Sequence, residues 1–145
     1  MAMIGIILTA HDELAGALLR AAELSMGPQP AVLAVPLAPH DGPETHAAAL
    51  NTAVARVDGG AGVLILADLF GGTPANVAAH MLGRGNTVLL SGVNLVMVLE
   101  ALSGRDDLAL AELATAVLQA GREGIVDAGA LLAAERPNRL PEDTP

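Results

Sequence analysis

Two apolar segments that do not alternate with polar residues limit the fold of this chain most strongly. Residues 3–9 (MIGIILT) and residues 62–67 (GVLILA) are almost continuously apolar. A strand with one wet face alternates between apolar and polar residues, whereas a parallel strand covered by helices on both faces does not. The two segments therefore predict neighbouring strands buried inside a parallel sheet.

The rest of the chain alternates between strand and helix signals. Two further strands are predicted at Ala31–Val35 and Asn86–Ser91. Helices are predicted from an Asp12 N-cap to about Met26, from near Pro43 until Gly59-Gly60, from a Thr73 N-cap with Pro74 at the first position to about Leu82, over Leu95–Leu102, and over Asp107–Ala120. This alternation predicts an α/β fold with a mostly parallel central sheet and helices on both faces.

The C-terminal part leaves two interpretations open. Ile125 and Val126 form either a short last strand or part of a helix that continues to Leu132. Three prolines fall among the last nine residues, which favours disorder. We therefore predict one domain over residues 1–132 and a disordered tail over residues 133–145.

Composition and charge exclude several classes of function. Hydrophobic residues make up 52% of the chain, but it has one Phe and no Tyr or Trp, so base stacking on aromatic rings is not expected. The net charge of −9 repels nucleic acid and anionic membranes, and the absence of Cys excludes thiolate chemistry. Without a basic leader or an uncharged apolar segment of about 20 residues, a soluble cytoplasmic protein is expected.

Polar residues follow the predicted strands at their carboxyl ends, where parallel α/β sheets place their sites. His11 follows the first buried strand and Asp68 follows the second. A carboxylate that accepts a hydrogen bond from one imidazole nitrogen leaves the other nitrogen as a nucleophile. The backbone of Gly71 and Gly72 and the hydroxyl of Thr73 are candidate donors to phosphoryl oxygens. No metal or other cofactor is predicted.

Each of these residues also has an ordinary structural interpretation. Asp68 could cap the turn after its strand, and the two glycines could relieve a tight turn. Asn94 is equally compatible with a helix cap and with a partner contact. The sole aromatic residue, Phe70, could pack in the core, but we favour a contact with a partner. His40, His46 and His80 are predicted to be surface residues.

Four segments together resemble one protein family. Residues 6–15 (IILTAHDELA), 66–76 (LADLFGGTPAN), 91–97 (SGVNLVM) and 121–125 (GREGI) are similar, in this order, to segments of the mannose-type IIA components of the sugar phosphotransferase system. The resemblance extends over the chain to about Leu132. Where this family usually has Thr before the histidine and Gly after it, the chain has Ala10 and Asp12.

The resemblance implies a phosphohistidine carrier. His11 would accept a phosphoryl group from the phosphocarrier HPr and pass it to a IIB component, with Asp68 as its hydrogen-bonding partner. Gly71, Gly72 and Thr73 would support the phosphoryl oxygens. The resemblance also implies a homodimer in which the segment around residues 124–126 pairs with the other subunit.

Other functions stay open at this point. A stand-alone regulatory protein, whose phosphorylation state controls the binding of a target, would also use His11. A dihydroxyacetone-kinase phosphocarrier ranks lower because its second signature lacks the Gly-Gly-Thr-Pro element of residues 71–74. A small-molecule-binding α/β domain without covalent chemistry is a fourth interpretation.

Overall fold

A computed structural model describes residues 2–69, 71–80, 82 and 86–135 of the chain. Its elements follow in the order β1 (Gly5–His11), α1 (Leu14–Met26), β2 (Val32–Leu37), α2 (Pro43–Val57), β3 (Val63–Ala67), α3 (Thr73–Ala79), β4 (Thr87–Ser91), α4 (Leu95–Gly104), α5 (Leu110–Glu123) and α6 (Ala128–Glu135). The four strands form one sheet in the order β2-β1-β3-β4, and all neighbours are parallel. The predicted fold class is confirmed.

The two non-alternating segments form the centre of the sheet. β1 pairs with β3 in a register that places Gly5 beside Val63 and Thr9 beside Ala67. Every residue of β3 is buried, and so is every residue of β1 except His11. The apolar runs are therefore strands with helices on both faces, as their pattern predicts.

Successive side chains of β1 enter two separate cores. Ile6, Leu8 and Ala10 pack on the face covered by α1, α4 and α5, whereas Ile7 packs on the face covered by α2 and α3. Burying each large aliphatic side chain contributes about 1.5–3 kcal/mol. The sheet is thus held from both sides by aliphatic contacts.

The strand order places a crevice at the end of β1. The chain leaves β1 for β2 on one side, and α2 then carries it back to β3 on the other side. Such a point, where the order of strands reverses, is the usual location of sites in open parallel sheets. The loops after β1 and β3 meet there.

Both predicted N-caps at this end of the sheet are wrong. Asp12 has a left-handed φ of 53°, and its N–H donates to the carbonyl of Leu37 at 2.8 Å. It therefore turns the chain out of the sheet, and Glu13 precedes the helix without a side-chain cap. At the next helix, Gly72 takes the N-cap position, Thr73 begins the helix and Pro74 is its second residue.

The remaining boundaries differ by a few residues. β2 continues through Pro36 to Leu37, beyond its predicted end, because Pro can sit in an edge strand where its missing N–H leaves no bond unmade. α5 begins at Leu110 rather than Asp107. Residues 105–107 instead form a turn, after which the Glu112 carboxylate accepts a hydrogen bond from Ala109 N–H at 3.2 Å.

The C-terminal part matches neither of the open interpretations. Residues 125–127 form neither strand nor helix, and α6 is a separate helix that starts at Ala128. Strand exchange needs a second subunit and stays a prediction. Residues 136–145 of the predicted tail lie outside the described residues, whereas residues 133–135 end α6. Among the helices described, none has the length and hydropathy needed to cross a bilayer.

Candidate functional site

His11 and Asp68 are in direct contact at the end of the sheet. His11 is the last residue of β1 and Asp68 follows the last residue of β3, the strand paired with it. His11 Nδ1 lies 2.8 Å from Asp68 Oδ2, and the backbone N–H of His11 donates to the same oxygen at 3.0 Å. The pairing predicted from the two strand ends therefore occurs.

The environment of Asp68 favours its ionised form. Burial alone would raise the pKa of this carboxyl, but hydrogen bonds from the backbone and ring of His11 and from Leu69 N–H lower it below its usual value. An ionised Asp68 only accepts hydrogen bonds, so the proton of a neutral His11 ring lies on Nδ1. Nε2 then carries the lone pair.

The side chains of His11 and Asp68 differ in exposure, as expected if Asp68 orients the ring and His11 Nε2 stays accessible. The His11 side chain is 46% exposed, whereas that of Asp68 is 10% exposed. The carboxylate is thus held inside the crevice while the ring remains open to a large partner. Such an arrangement has the orientation and access that a histidine nucleophile requires.

The loop after Asp68 brings backbone close to the ring. Gly71 has a left-handed φ of 84°, and a Cβ added to Gly72 would lie 3.1 Å from His11 Cε1. Asn76 fixes this loop, because its Nδ2 donates to Gly71 O at 3.2 Å and its N–H donates to Gly72 O at 2.9 Å. Of the predicted phosphoryl-binding residues, Gly72 therefore lies beside His11, and Thr73 follows it as the first residue of α3.

The sequence interpretation of His46 is wrong. His46 lies on α2 and is 1% exposed, with its Nε2 2.9 Å from the hydroxyl of Thr9. Burial lowers the pKa of His46 below its ordinary value of 6.5. Its position four residues before the buried Leu50 was a sequence signal for burial, because residues four apart share a helix face. His40 and His80 are exposed, as predicted.

Asn94 caps a helix in this structure. Its Oδ1 accepts a hydrogen bond from Met97 N–H at 3.0 Å, and its Nδ2 donates to Gly121 O at 3.2 Å. Gly121 allows this close packing, because a Cβ there would lie 2.5 Å from Met97 Cγ. A partner contact through Asn94 stays a prediction. Phe70, the other predicted partner contact, lies outside the described residues.

The surface next to His11 is apolar and acidic. Leu14 is 45% exposed and Leu69 is 57% exposed, although both are large aliphatic residues. Asp12 and Glu13 are also exposed. Within the residues the structure describes, no group of three or more His, Asp or Glu side chains could hold a metal ion.

Known proteins share the sequence and the fold. Residues 5–118 match the model of the family described as PTS system fructose IIA component. The chain is 34% identical over 124 residues to the PTS system mannose-specific EIIAB component of Escherichia coli (strain K12), which covers 84% of this chain and 38% of that protein. It is also 34% identical over 112 residues to the PTS system fructose-specific EIIA component of Bacillus subtilis (strain 168), covering 77% of each chain.

Solved structures agree with these matches. The phosphotransferase system component EIIA from Streptococcus agalactiae superposes with a TM-score of 0.81 at 32% identity, covering 88% of this chain and 99% of that one. The mannose/sorbose specific IIA subunit from Enterococcus faecalis gives a TM-score of 0.80 at 27% identity, covering 99% of this chain and 100% of that one.

The length covered by each match limits which properties of the matched protein can be extended to this chain. The chain spans little more than a third, 38%, of the length of the Escherichia coli relative. The family match covers most of the chain, including the histidine, aspartate and glycine loop at the sheet end. The chain belongs to the mannose/fructose family of IIA components of the sugar phosphotransferase system.

Proposed function

We propose that this protein is a phosphohistidine carrier that accepts a phosphoryl group on His11 Nε2 from HPr and passes it to a IIB component. The observation that carries the proposal is the 2.8 Å contact between His11 Nδ1 and Asp68 Oδ2. This contact holds the proton on one ring nitrogen and leaves the other, on an exposed ring, for attack on phosphorus.

The proposed transfer balances without a cofactor. The Nε2 lone pair of His11 forms a bond to the phosphorus of the phosphorylated donor, and the bond from phosphorus to the donor breaks with its electron pair returning to the donor. As Nε2 gains its bond, the ring becomes positive, and the Asp68 carboxylate stabilises it through the Nδ1 hydrogen bond. A nucleophile of the acceptor then repeats the step and restores His11.

Gly71, Gly72 and Thr73 are proposed to bind the phosphoryl oxygens. The absence of a side chain at Gly72 leaves the space beside His11 Cε1 open, since a Cβ would lie 3.1 Å from that atom. Backbone N–H groups and a hydroxyl can donate to equatorial oxygens, and such positioning supplies most of the catalysis in phosphoryl transfer.

The partners are proposed from the surface beside His11. Leu14 and Leu69 are exposed apolar residues, and Asp12 and Glu13 add negative charge. A partner with an apolar centre and basic residues around its reactive group would fit this surface. Phe70 and Asn94 remain proposed contacts. Cytoplasmic location follows from a relay between soluble partners.

A homodimer is part of the proposal. In the described part of the chain, α6 buries none of its residues, and Leu131 and Leu132 are 54% and 57% exposed. Ile125 is 79% exposed just before it. A second subunit that pairs with residues 124–126 would cover these side chains.

The test is the intact mass of the protein after incubation with phosphoenolpyruvate, enzyme I and HPr. We expect a gain of one acid-labile phosphoryl group in the wild type and none in His11→Ala. An His80→Ala variant, altered at an exposed histidine, should gain the group as the wild type does. Lack of phosphorylation in the wild type, with partners that phosphorylate a known IIA protein, would sink the carrier proposal.

The regulatory alternative is separated by a second step. Phosphorylated protein is mixed with a cognate IIB component, and the phosphoryl group is followed by mass. Transfer to IIB supports the transport relay. Retention on His11 with an active IIB favours a regulatory protein whose phosphorylation controls binding.

A further inference from the structure

Thr9, two residues before His11 on β1, and His46 on α2 form a buried polar pair that the proposed chemistry does not use. Thr9 Oγ1 donates to Val35 O on the neighbouring strand at 3.0 Å and lies 2.9 Å from His46 Nε2 on α2. Thr9 is fully buried and His46 is 1% exposed. Within the described residues, His46 Nδ1 is buried without a hydrogen-bond partner. A half-satisfied polar pair in a core is costly and needs a reason.

We propose that His46 is a positioning residue for His11, which it acts on through Thr9. This proposal rests on the proposed carrier function of His11. His46 does not touch the transferred group. Its task is to fix the end of β1 so that the His11 ring and its backbone N–H both meet one oxygen of Asp68.

The position of Thr9 on the strand supplies the connection. Side chains two residues apart in a strand point to the same face, so Thr9 and His11 both face the layer formed by α2 and α3. Ala10, between them, packs in the opposite core. A hydroxyl at position 9 can therefore tie the His11 face of β1 to α2, which a residue at position 10 cannot do.

The hydrogen bond from Thr9 to Val35 O favours one tautomer of neutral His46. The single proton of the Thr9 hydroxyl is donated to Val35 O, so Thr9 Oγ1 accepts from His46 Nε2–H. The unpartnered Nδ1 then carries a lone pair and not a buried charge. Neutral His46 thus connects α2, β1 and β2 at the strand end that bears the nucleophile.

The contact at Asp68 depends on this strand end. One carboxylate oxygen accepts from His11 N–H at 3.0 Å and from His11 Nδ1 at 2.8 Å. Both bonds require the β1 backbone to keep its place relative to the loop after β3. Displacement by a few tenths of an ångström would lengthen them and release the fixed tautomer of the ring.

Four variants separate positioning from simple packing. Thr9→Val keeps the shape but removes the hydroxyl, and His46→Leu fills the site without a donor. His46→Gln can place an amide N–H where Nε2–H lies, so it should restore both the His11 tautomer and kcat. His80→Gln is the matched control at an exposed histidine. The free energy of unfolding is measured for each, so that loss of stability is known separately.

The first measurement uses ¹⁵N shifts of the His11 ring, which report the nitrogen that carries the proton. We expect the Nδ1–H form to dominate in wild type, His46→Gln and His80→Gln, and the Nε2–H form to increase in Thr9→Val and His46→Leu. An unchanged His11 ring in both folded variants that lack the pair would overturn the proposal. This measurement needs no partner, so it decides the positioning role even where the carrier function fails.

The second measurement is the rate of phosphorylation at varied HPr concentration. We expect kcat to fall by about threefold to tenfold in Thr9→Val and His46→Leu, since small misplacement of reacting groups has effects of this order. KM for HPr should stay unchanged, because the docking surface is untouched, and His46→Gln should recover kcat. Equal rates in all folded variants would contradict the proposal.

Discussion

Asp12 is a residue whose backbone conformation and charge both act at the site. Its φ of 53° lies in the left-handed region, which Asp tolerates better than most residues but Gly adopts without a steric cost. It follows His11 directly and its side chain is exposed. The Gly that is usual at this position in the family has a physical reason, because the chain must turn sharply there out of the sheet.

Replacing Asp12 by Gly should therefore stabilise the protein but weaken the docking of HPr. Relief of left-handed strain gives about 1–2 kcal/mol, and the flexibility of Gly in the unfolded chain removes about 0.5–1 kcal/mol of it. Loss of a negative charge from the surface proposed to meet a basic partner should lower the phosphorylation rate at limiting HPr, most at low salt. Urea unfolding and phosphorylation rates at two salt concentrations measure these effects. An Asp12→Ala variant more stable than Asp12→Gly would contradict the conformational argument.

At the scale of elements, Arg105 links the end of α4 to the segments that precede β1 and β2, at the amino ends of these strands. The side chain is 3% exposed and donates to the carbonyl oxygens of Ile4, Ala31 and Pro30 and to Gln29 Oε1, at distances from 2.6 to 3.4 Å. One guanidinium thus satisfies the chain before β1 and the chain before β2. Its position is far from the carboxyl ends of the strands that carry the site.

Arg105→Met should consequently lower stability without altering the chemistry. Loss of the charged hydrogen bonds and of partners for buried carbonyls is expected to lower the free energy of unfolding by about 2–4 kcal/mol. The exposed Arg56 offers a control, since Arg56→Met should change the free energy of unfolding by less than about 0.5 kcal/mol. Both values come from chemical denaturation. A phosphorylation rate that falls in folded Arg105→Met would show that the hydrogen bonds of Arg105 also affect the site.

The elements show which features a sequence can predict. The parallel sheet and the contact of His11 with Asp68 follow from local patterns, because apolar runs mark inner strands and strand ends mark the site. The burial of His46 and the hydrogen bonds of Arg105 depend on residues distant in sequence, such as Thr9 and Ala31. Polar residues are usually exposed, so the helix-face signal of His46 is weak by itself, and the contacts that hold His46 and Arg105 become visible only once those segments are placed.

For the whole molecule, acid stability should depend on two titratable groups near the end of the sheet, Asp68 and His46. The pKa of Asp68 is lowered in the folded state, so its contribution to stability is present above its ordinary value of 3.8 and is lost as pH falls through the lowered value. Burial lowers the pKa of His46 as well, whereas Asp41 and a backbone hydrogen bond with Pro36 oppose the lowering and His11 adds to it. The folded state thus resists protonation of His46, and stability begins to fall below its ordinary pKa of 6.5.

The free energy of unfolding of the wild type should therefore decrease between about pH 6.5 and 5, before carboxylates titrate. His46→Gln should remove this first decrease and keep the loss at lower pH that comes from Asp68. Urea unfolding at half-unit pH intervals gives both curves, with His80→Gln as control. Identical pH profiles for wild type and His46→Gln would refute the assignment of the first decrease to His46.

The proline in β2 has a further consequence for the molecule in a crowded cell. β2 is an outer strand, and outer strands expose backbone groups that can template the addition of strands from other molecules. Pro36 is exposed near the end of this strand and has no N–H to offer such a neighbour. Pro36, which is tolerated in β2 because this strand lies at the edge, therefore disfavours the addition of a further strand along β2. On the β2 side, this aliphatic-rich sheet is thus protected against pairing with strands of other molecules.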